Sequence, residues 1–583
     1  MISNPILKGF HPDPSIIRVG LDYYIATSTF EWWPGVRLHH SRDLKNWELI
    51  EYPLNRISQL DLRGVGPSQG IWAPCLTYEN GVFYLVYTIV RSFYCNMYDT
   101  ENYLVTATDI HGPWSEPVAL NNFGFDPSLF HDSDGRKFMV SMVTDHRVPK
   151  KYAGRIILQE YDPIKKCMTG EAKDIFTASD IFLEGPHIFK RNNWYYLFCA
   201  DTGTGELHGQ SVLRSKNVFG PYEMKKDKPE SWEKGDAYSI MTSRHFPDIM
   251  LQKSGHGDMV ETPDGDWYMV HLCGRPCDKR NPDTAARFKN SRRYMLGRET
   301  ALQRIVWKDD WPYLYSEADK KITSIPQDEI SEPAMGKRTY ENEKELPAEK
   351  SKLNKDELNK DELNKDVFNK DDLRKDDFDS EILNPDYQSL RVPMDEKYLS
   401  LTERPGYLRL YGRSGLSSQF SQSLIARRMT SYHMEISTVL EYEPKFFKQM
   451  AGLIFMYDTE NYLYLHVTRD EDIGKCITLL KYENKKAEYL SEYIPVKENV
   501  PVKMRLHING AEVRFEYGAG NECQKNAKME QIGPMVDASF LSDEACDQGW
   551  FTGAMLGICT QDLTGSGLNA DFDYFEVKDL DQK

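Results

Sequence analysis

Three acidic residues recur in one local setting along the first third of the chain. Asp13 lies between two prolines, Asp126 again precedes Pro-Ser, and Glu184 precedes Gly-Pro. If the fold brings these carboxyl groups together, burial and mutual repulsion should spread their pKa values, so that one is protonated while another is ionised. Hydrolysis of a glycosidic bond needs such a pair, one group to protonate the departing oxygen and one to activate water.

Two further residues continue the series. Trp72 lies between the first and second acids, and His256 follows the third, so the five residues recur at intervals of roughly 55 to 70, a spacing typical of propellers and other repeat folds. Taken singly, Asp-Pro-Ser is a common turn, a tryptophan is a packing residue, and His256 could be a satisfied core histidine. The recurrence at matched positions favours a shared site instead.

A strand-like aromatic segment begins ten or eleven residues after each member of the series, at residues 23–26, 83–86, 137–140, 194–197 and 267–270. Each segment follows a cluster of Asn, Asp or Gly, the residues that tight hairpins require. Long helical periodicity is absent. The pattern predicts a five-bladed β-propeller, in which the first strand of each blade lines a central channel and its first residues meet at one end of that channel.

Composition divides the chain into three parts. The propeller pattern spans residues 1–315, and residues 316–379 lose aromatic residues and gain charge, with a five-residue unit repeated between 353 and 377. On a helix, a period of five turns the apolar position by about 140° per repeat, so no straight apolar stripe forms and a solvated spacer is predicted. Residues 380–583 contain short alternating segments between turn signals, which predict a β-sandwich in a chain that is all-β throughout.

Charge and cysteine content exclude several classes of function. The net charge of −17 argues against a nucleic-acid partner, because phosphate backbones repel an acidic surface. The ten cysteines have neither the paired spacing of a zinc site nor that of a disulfide framework, so we expect reduced thiols. We find no signal-peptide core and no transmembrane segment, and therefore expect a cytoplasmic protein without membrane association.

Motifs at residues 9–15, 28–32, 70–74, 125–126, 184–187, 255–256, 296–300 and 551–554 resemble, in order, those of glycoside hydrolase family 43. Within that family they are similar to the β-xylosidases that carry a C-terminal β-sandwich. The resemblance implies an inverting mechanism, with Asp13 as general base on water and Glu184 as general acid. It also implies that Asp126 orients Glu184 and raises its pKa.

The resemblance extends to the residues around these acids. It implies that Arg298 binds sugar hydroxyls, although from the sequence Arg298 could simply pair with Glu299, and that Phe30 and Trp72 shape the innermost subsite. Phe551 from the sandwich would close the pocket and make the enzyme exo-acting. Family resemblance also implies that His256 helps to hold a hydrated calcium ion, that no organic cofactor is needed, and that the protein is a homo-oligomer, either a tetramer or a dimer.

The activity expected from the resemblance is release of D-xylose from the non-reducing ends of short β-1,4-xylo-oligosaccharides. An α-L-arabinofuranosidase, or an enzyme with both activities, is the nearest alternative. A non-catalytic sugar-binding propeller is a second alternative, but binding alone would not need three acids. The fructan-cleaving propeller hydrolases are a third, and their characteristic motifs are not found in the sequence.

Overall fold

The computed structural model describes residues 1–94, 97–147, 153–178, 181–225, 239–277, 292–333, 375–520, 529–547 and 549–581. Regular structure in these ranges consists of β-strands, and the sheets pair them antiparallel. Within the same ranges there is no helix of the length and apolarity that a membrane crossing requires.

Five antiparallel sheets form the first part of the chain, each built mainly from strands that follow one another in sequence. The inner strand of each blade contacts the inner strands of its neighbours, and that of blade five contacts that of blade one, so the ring closes. This arrangement confirms the predicted five-bladed β-propeller. From the inner strand outward, blade one comprises Ser15–Val19, Asp22–Thr27, Arg37–Ser41 and Glu48–Glu51; blade two comprises Gly70–Glu79, Val82–Ser92, Asp99–Ala107 and Val118–Ala119; and blade three comprises Phe125–His131, Lys137–Val143, Gly154–Asp162 and Cys167–Ala178. Blade four comprises Leu183–Arg191, Trp194–Asp201, Gly209–Ser215 and Glu223–Met224, with Ser239–Thr242 paired to Gly209–Ser215. Blade five comprises Gln252–Glu261, Trp267–Gly274, Glu299–Lys308, Trp311–Ser316 and Lys321–Thr323.

The first hairpin of every blade turns at the predicted Asn, Asp and Gly clusters. A left-handed residue occurs in each of these turns, because the tight reversal between adjacent strands requires a positive φ that glycine and asparagine adopt at low cost. These residues are Gly20 (+63°), Gly81 (+81°), Gly135 (+90°), Asn193 (+63°) and Gly265 (+86°).

The chain between the predicted propeller and the predicted sandwich contributes strands to both parts of the structure. Lys321–Thr323 extends the sheet of blade five, so one strand beyond residue 315 belongs to a propeller sheet. Glu329–Ile330 pairs with Ile2–Ser3 in a separate two-stranded sheet. Lys375–Asp376 pairs with the sandwich strand Asn569–Asp579. The pentapeptide repeat lies almost entirely outside the described residues, which resume at residue 375.

The C-terminal part consists of two antiparallel sheets packed around an apolar core, which confirms the predicted sandwich. Side chains of the strand Val502–Asn509 alternate between buried and partly exposed, as expected for a sheet with one face on a core. The first sheet comprises Leu399–Ser400, Leu408–Tyr411, Asn569–Asp579, His433–Glu441, Val502–Asn509, Glu512–Ala519 and Glu530–Asp537, with Lys375–Asp376 at its side; the second comprises Ser423–Arg428, Met555–Asp562, Gln449–Asp458, Asn461–Asp470, Gly474–Glu483 and Lys486–Tyr489, with Ile494–Pro495 at its side. Trp32–Trp33 of the propeller pairs with Ser389–Leu390, outside both sheets.

A buried ion-pair cluster joins the propeller to the sandwich segment. Asp386 accepts a hydrogen bond from Arg37 Nη2 of the propeller at 2.7 Å and another from Arg427 Nε of the sandwich at 2.9 Å. Burial alone would raise the pKa of Asp386, but the guanidinium groups of Arg427 and Arg37 lower that pKa far below its ordinary value. The carboxylate is therefore ionised across the physiological range and offsets two buried cations.

We expect Asp386→Asn to lower the free energy of unfolding at pH 7 by about 2–3 kcal/mol, because two buried guanidinium groups lose their counter-charge. The value lies below that for a fully buried pair because 29% of the Asp386 side chain is exposed. Since the pKa of Asp386 is depressed in the folded state, its contribution should be constant above about pH 4 and should decline progressively as the pH falls below that value, toward the lowered pKa. Urea midpoints measured from pH 7 to pH 3 test this. Asp174→Asn, which breaks the exposed pair with Arg155, is the matched control and should change little; equal midpoints for the two variants at pH 7 would contradict the prediction.

Candidate active site

Asp13 lies at the mouth of the propeller channel with hydrogen bonds on two sides of its carboxylate. Ser28 Oγ donates to Asp13 Oδ2 at 2.7 Å, and Arg298 Nη1 donates to Oδ1 at 3.0 Å. The hydroxyl of Ser28 in turn accepts the backbone N–H of Ala73 at 2.8 Å, so its one proton is directed at Asp13. The sequence prediction included Ser28 only within a family motif and gave it no role.

Asp126 and Glu184 are joined through the backbone of blade four. The N–H of Gly185 donates to Asp126 Oδ2 at 2.9 Å. Burial raises the pKa of Asp126 well above its ordinary value, and the carboxyl groups of Glu184 and Asp13 raise it further. The three acids therefore lie close enough together for the charges of Glu184 and Asp13 to act on Asp126.

A left-handed residue stands at the head of the inner strand in all five blades. These residues are Asp13 (+51°), Ala73 (+37°), Asp126 (+52°), Gly185 (+54°) and His256 (+54°). In blades two to five, the pairing between the inner strand and the second strand shifts register at or next to this residue. The resulting β-bulge turns the neighbouring side chains toward the channel mouth.

Blades two and four differ from the predicted repeat. Their left-handed positions are held by Ala73 and Gly185, and Trp72 and Glu184 come one residue earlier. Glu184 is therefore not equivalent to Asp13 and Asp126 in backbone position. Its carboxylate approaches the site from one residue earlier in the chain, an offset that the Pro-containing motifs did not distinguish.

Arg298 connects the acid site to the sandwich domain. In addition to Asp13, its guanidinium donates from Nη2 to the Phe551 carbonyl at 2.8 Å and lies 5.3 Å from the Phe551 ring centre. The alternative pairing of Arg298 with Glu299 is not formed, because Glu299 binds Arg275 at 2.6 and 2.8 Å. One side chain thus ties the position of Asp13 to that of Phe551.

An aromatic wall stands beside the acids and is centred on Trp72. Its indole donates to the Ser68 carbonyl at 2.9 Å, which fixes the ring. The neighbouring ring centres lie at 5.9 Å for Phe30, 5.5 Å for Phe93, 6.1 Å for Tyr98, 5.6 Å for Phe125 and 5.1 Å for Phe551. Flat apolar surface next to polar groups suits the apolar face of a pyranose ring. Phe93 and Tyr98 were missed, because both lie where blade two passes from its second to its third strand and neither belongs to the motifs that recur from blade to blade.

Comparison with known proteins identifies the family. Residues 2–312 match the family described as "Glycosyl hydrolases family 43", and residues 375–578 match the "Beta xylosidase C-terminal Concanavalin A-like domain". The chain belongs to glycoside hydrolase family 43.

Full-length relatives agree with this assignment. A beta-xylosidase of Bacillus subtilis is 39% identical, with 99% of each chain covered. The xylosidase/arabinosidase 43B of Humicola insolens is 42% identical, with 98% of this chain and 97% of that protein covered. The crystal structure of a xylan beta-1,4-xylosidase from Bacillus halodurans is 42% identical and superimposes with a TM-score of 0.85, covering 99% of this chain and 100% of that one. The protein is a glycoside hydrolase.

His256 completes the channel mouth of this family 43 hydrolase. Its Nδ1 lies 3.6 Å from Asp13 Oδ1, and burial lowers the pKa of His256 to about 4, so the imidazole is neutral near pH 7. The described residues contain no group of three or more His, Cys, Asp or Glu side chains that could hold a metal ion. Calcium takes six to eight oxygen ligands, so His256 alone is not a protein ligand set for it, and the predicted calcium site stays a prediction.

Contacts therefore connect all of the predicted site residues at one end of the channel. Carboxylate interactions join the acids, Arg298 joins Asp13 to Phe551, and ring contacts join Phe551 to the aromatic wall. The set consists of Asp13, Asp126, Glu184, Arg298, Phe30, Trp72, Phe551 and His256.

We expect Gly185→Ala to lower the hydrolase turnover number about 100-fold, because an error of about 1 Å in a reacting group costs that factor. A Cβ at Gly185 would lie 2.6 Å from His256 Nε2 at a φ of +54°, so the backbone beside Glu184 must move. Gly135→Ala is the matched control, since it also has a positive φ but no atom within 4 Å of the added Cβ. Steady-state kinetics of both variants test this, and wild-type turnover in Gly185→Ala would refute it.

Proposed function

We propose that this family 43 hydrolase is an inverting exo-β-xylosidase that releases D-xylose from the non-reducing ends of short β-1,4-xylo-oligosaccharides. The observation that carries the proposal is the gathering of three acids beside an aromatic wall at the channel mouth. The name of the Bacillus subtilis relative, a beta-xylosidase, supports the same sugar, and that of the Bacillus halodurans xylan beta-1,4-xylosidase supports the linkage as well.

In the proposed mechanism Asp13 is the general base. A general base must be ionised and accessible to water, and the two donors on its carboxylate, Ser28 and Arg298, suit an ionised acceptor. They also leave the carboxylate little rotational freedom. Asp13 would take a proton from the water molecule that attacks the anomeric carbon from the face opposite the leaving group.

Glu184 is the general acid in this mechanism. It would donate its proton to the glycosidic oxygen as the bond to the anomeric carbon breaks, and the departing sugar leaves as a neutral alcohol. Asp126 would act as a positioning residue, because it binds the N–H of the residue that follows Glu184. Repulsion between the two carboxyl groups favours a protonated acid before the reaction.

Exo action is supported by the position of Phe551. This ring comes from the sandwich, stacks 6.1 Å from Phe30, and lies 5.1 Å from Trp72 of the propeller. A wall contributed by a second domain limits the length of chain that can pass beyond the acids. One terminal sugar unit would then occupy the closed end of the pocket.

An α-L-arabinofuranosidase activity is the second candidate. The relative from Humicola insolens, which is 42% identical, is named a xylosidase/arabinosidase. The acids and their roles would be the same for either sugar, because both reactions are displacements at an anomeric carbon. Contacts with the sugar hydroxyls, including those proposed for Arg298, would decide the preference.

We expect NMR of xylobiose hydrolysis to show α-D-xylose first, with the β-anomer appearing only by mutarotation, because a single displacement inverts the β-linkage. In parallel, 4-nitrophenyl β-D-xylopyranoside should be cleaved with a higher kcat/KM than 4-nitrophenyl α-L-arabinofuranoside. Initial β-D-xylose would overturn the inverting mechanism. Failure to release xylose from either xyloside would overturn the proposed substrate.

We expect Glu184→Gln to reduce the turnover of xylobiose about 10²–10⁴-fold, the range attributed to general acid catalysis. An aryl xyloside with a nitrophenolate leaving group should be affected far less, because that group departs without protonation. Asp13→Asn is the matched comparison and should disable both substrates, since the water still needs its base. Equal losses on the two substrates in Glu184→Gln would remove Glu184 from the acid role.

Three further properties stay predictions. They are binding of calcium through His256, assembly into a tetramer or dimer, and a cytoplasmic location.

The eight cysteines in the described ranges are free thiols, as the sequence predicted.

A further inference from the structure

The position of Phe551 depends on a short segment of the sandwich, residues 549–552, that enters the channel mouth. The Phe551 N–H donates to Ser68 Oγ at 3.1 Å, and its carbonyl accepts Arg298 Nη2 at 2.8 Å. Both of these bonds come from the propeller. Any displacement of the segment would therefore move the aromatic wall and the arginine that binds Asp13.

On the sandwich side, one buried hydroxyl binds both ends of this segment. Tyr457, on the strand Gln449–Asp458, accepts the N–H of Thr552 at 3.3 Å, and its oxygen lies 3.0 Å from the Gly549 carbonyl. The same oxygen lies 2.5 Å from Asp543 Oδ1. A phenol has one proton, so Tyr457 cannot donate to the Gly549 carbonyl and to an ionised Asp543 at once.

The proton on Asp543 decides between these two arrangements. When Asp543 is protonated it can donate to the Tyr457 oxygen, and the tyrosine proton is then available to the Gly549 carbonyl. When Asp543 is ionised it takes the tyrosine proton, and the carbonyl loses its bond. Burial raises the pKa of Asp543 to about 7, so both arrangements are accessible near neutral pH.

Charged and titratable groups face Asp543 from both domains. Lys253 of blade five lies 3.7 Å away and lowers the pKa of Asp543, although it also forms a buried ion pair with Glu544. Glu544 raises that pKa and Arg298 lowers it. The Tyr457 hydroxyl and the thiol of Cys546 also lie close enough to interact with Asp543.

We propose that Tyr457 is a positioning residue for the sugar pocket: through Gly549 and Thr552 it fixes Phe551 and, through the Phe551 carbonyl, Arg298. The expected change in KM rests on the proposed function, whereas the positioning of Phe551 and Arg298 rests on the contacts alone. Asp543 makes the positioning dependent on pH, because it competes with Gly549 for the tyrosine proton. The Tyr457 hydroxyl binds Asp543, Gly549 and Thr552 and none of the three proposed acids.

The first test is Tyr457→Phe, which keeps the ring and removes the hydroxyl. KM for an aryl xyloside should rise about 3- to 10-fold, as the loss of one net hydrogen bond predicts, while kcat changes less than about twofold. Tyr464→Phe is the matched control, because Tyr464 is equally buried on the adjacent strand and its hydroxyl binds the Cys559 carbonyl at 3.4 Å. Unchanged KM in Tyr457→Phe, or an equal rise in Tyr464→Phe, would overturn the proposal.

The second test is Asp543→Asn, whose amide donates to the Tyr457 oxygen at every pH. Wild-type KM should rise as the pH increases through about 7, since ionised Asp543 withdraws the proton from the Gly549 bond. That rise should be absent in Asp543→Asn. The same pH dependence of KM in both proteins would remove Asp543 from the mechanism of positioning.

A third measurement does not depend on the substrate. In Tyr457→Phe the amide of Phe551, which binds Ser68 and not Tyr457, should exchange with deuterium faster than in the wild type and in Tyr464→Phe. Unaltered exchange at Phe551 would overturn the positioning role even if the xylosidase activity is found. Faster exchange in a protein without xylosidase activity would support the positioning role and refute the proposed function instead.

Discussion

A residue in the left-handed region of the backbone map lies at or near the start of the inner strand of every blade, with φ between +37° and +54°. Four of the five residues are not glycine, and such a conformation costs of order 1 kcal/mol or more for a side chain with a Cβ. A proline follows in blades one to four and restricts the backbone further. The strain is held by contacts at the site, such as the bonds of Asp13 to Ser28 and Arg298. In return, the blades direct their side chains, among them three acids and one histidine, into one end of the channel.

This backbone constraint accounts for the electrostatics of the site. Three carboxyl groups from three blades are brought close enough for Glu184 and Asp13 to raise the pKa of Asp126. One guanidinium, that of Arg298, binds Asp13 directly and offsets part of the accumulated negative charge. The site therefore holds its acids in different environments, which is the condition for an acid and a base to operate at the same pH.

The sandwich is a structural part of this pocket. Phe551 supplies a ring to the wall and a carbonyl to Arg298, and its segment is held by Ser68 on one side and Tyr457 on the other. A partly buried ion pair of Asp386 with Arg37 and a buried pair of Lys253 with Glu544 join the domains at separate places. Breaking a buried pair leaves an unpaired charge, so these contacts favour one relative position of the domains.

The elements of the propeller followed from local sequence, because hairpin turns need Asn, Asp or Gly and strands need aromatic and branched residues over a few positions. The same local signals predicted that Asp13, Asp126 and His256 occupy matched positions in their blades, and each is the left-handed residue of its inner strand region. The one-residue offset of Glu184 did not follow, since Glu-Gly-Pro and Asp-Pro look alike until the register of the bulge is known. Sequence patterns assigned no role to four other residues, which are Phe93, Ser68, Tyr457 and Asp543. They reach the pocket through loops and through a second domain, and only the tertiary packing of distant segments decides which of their side chains meet.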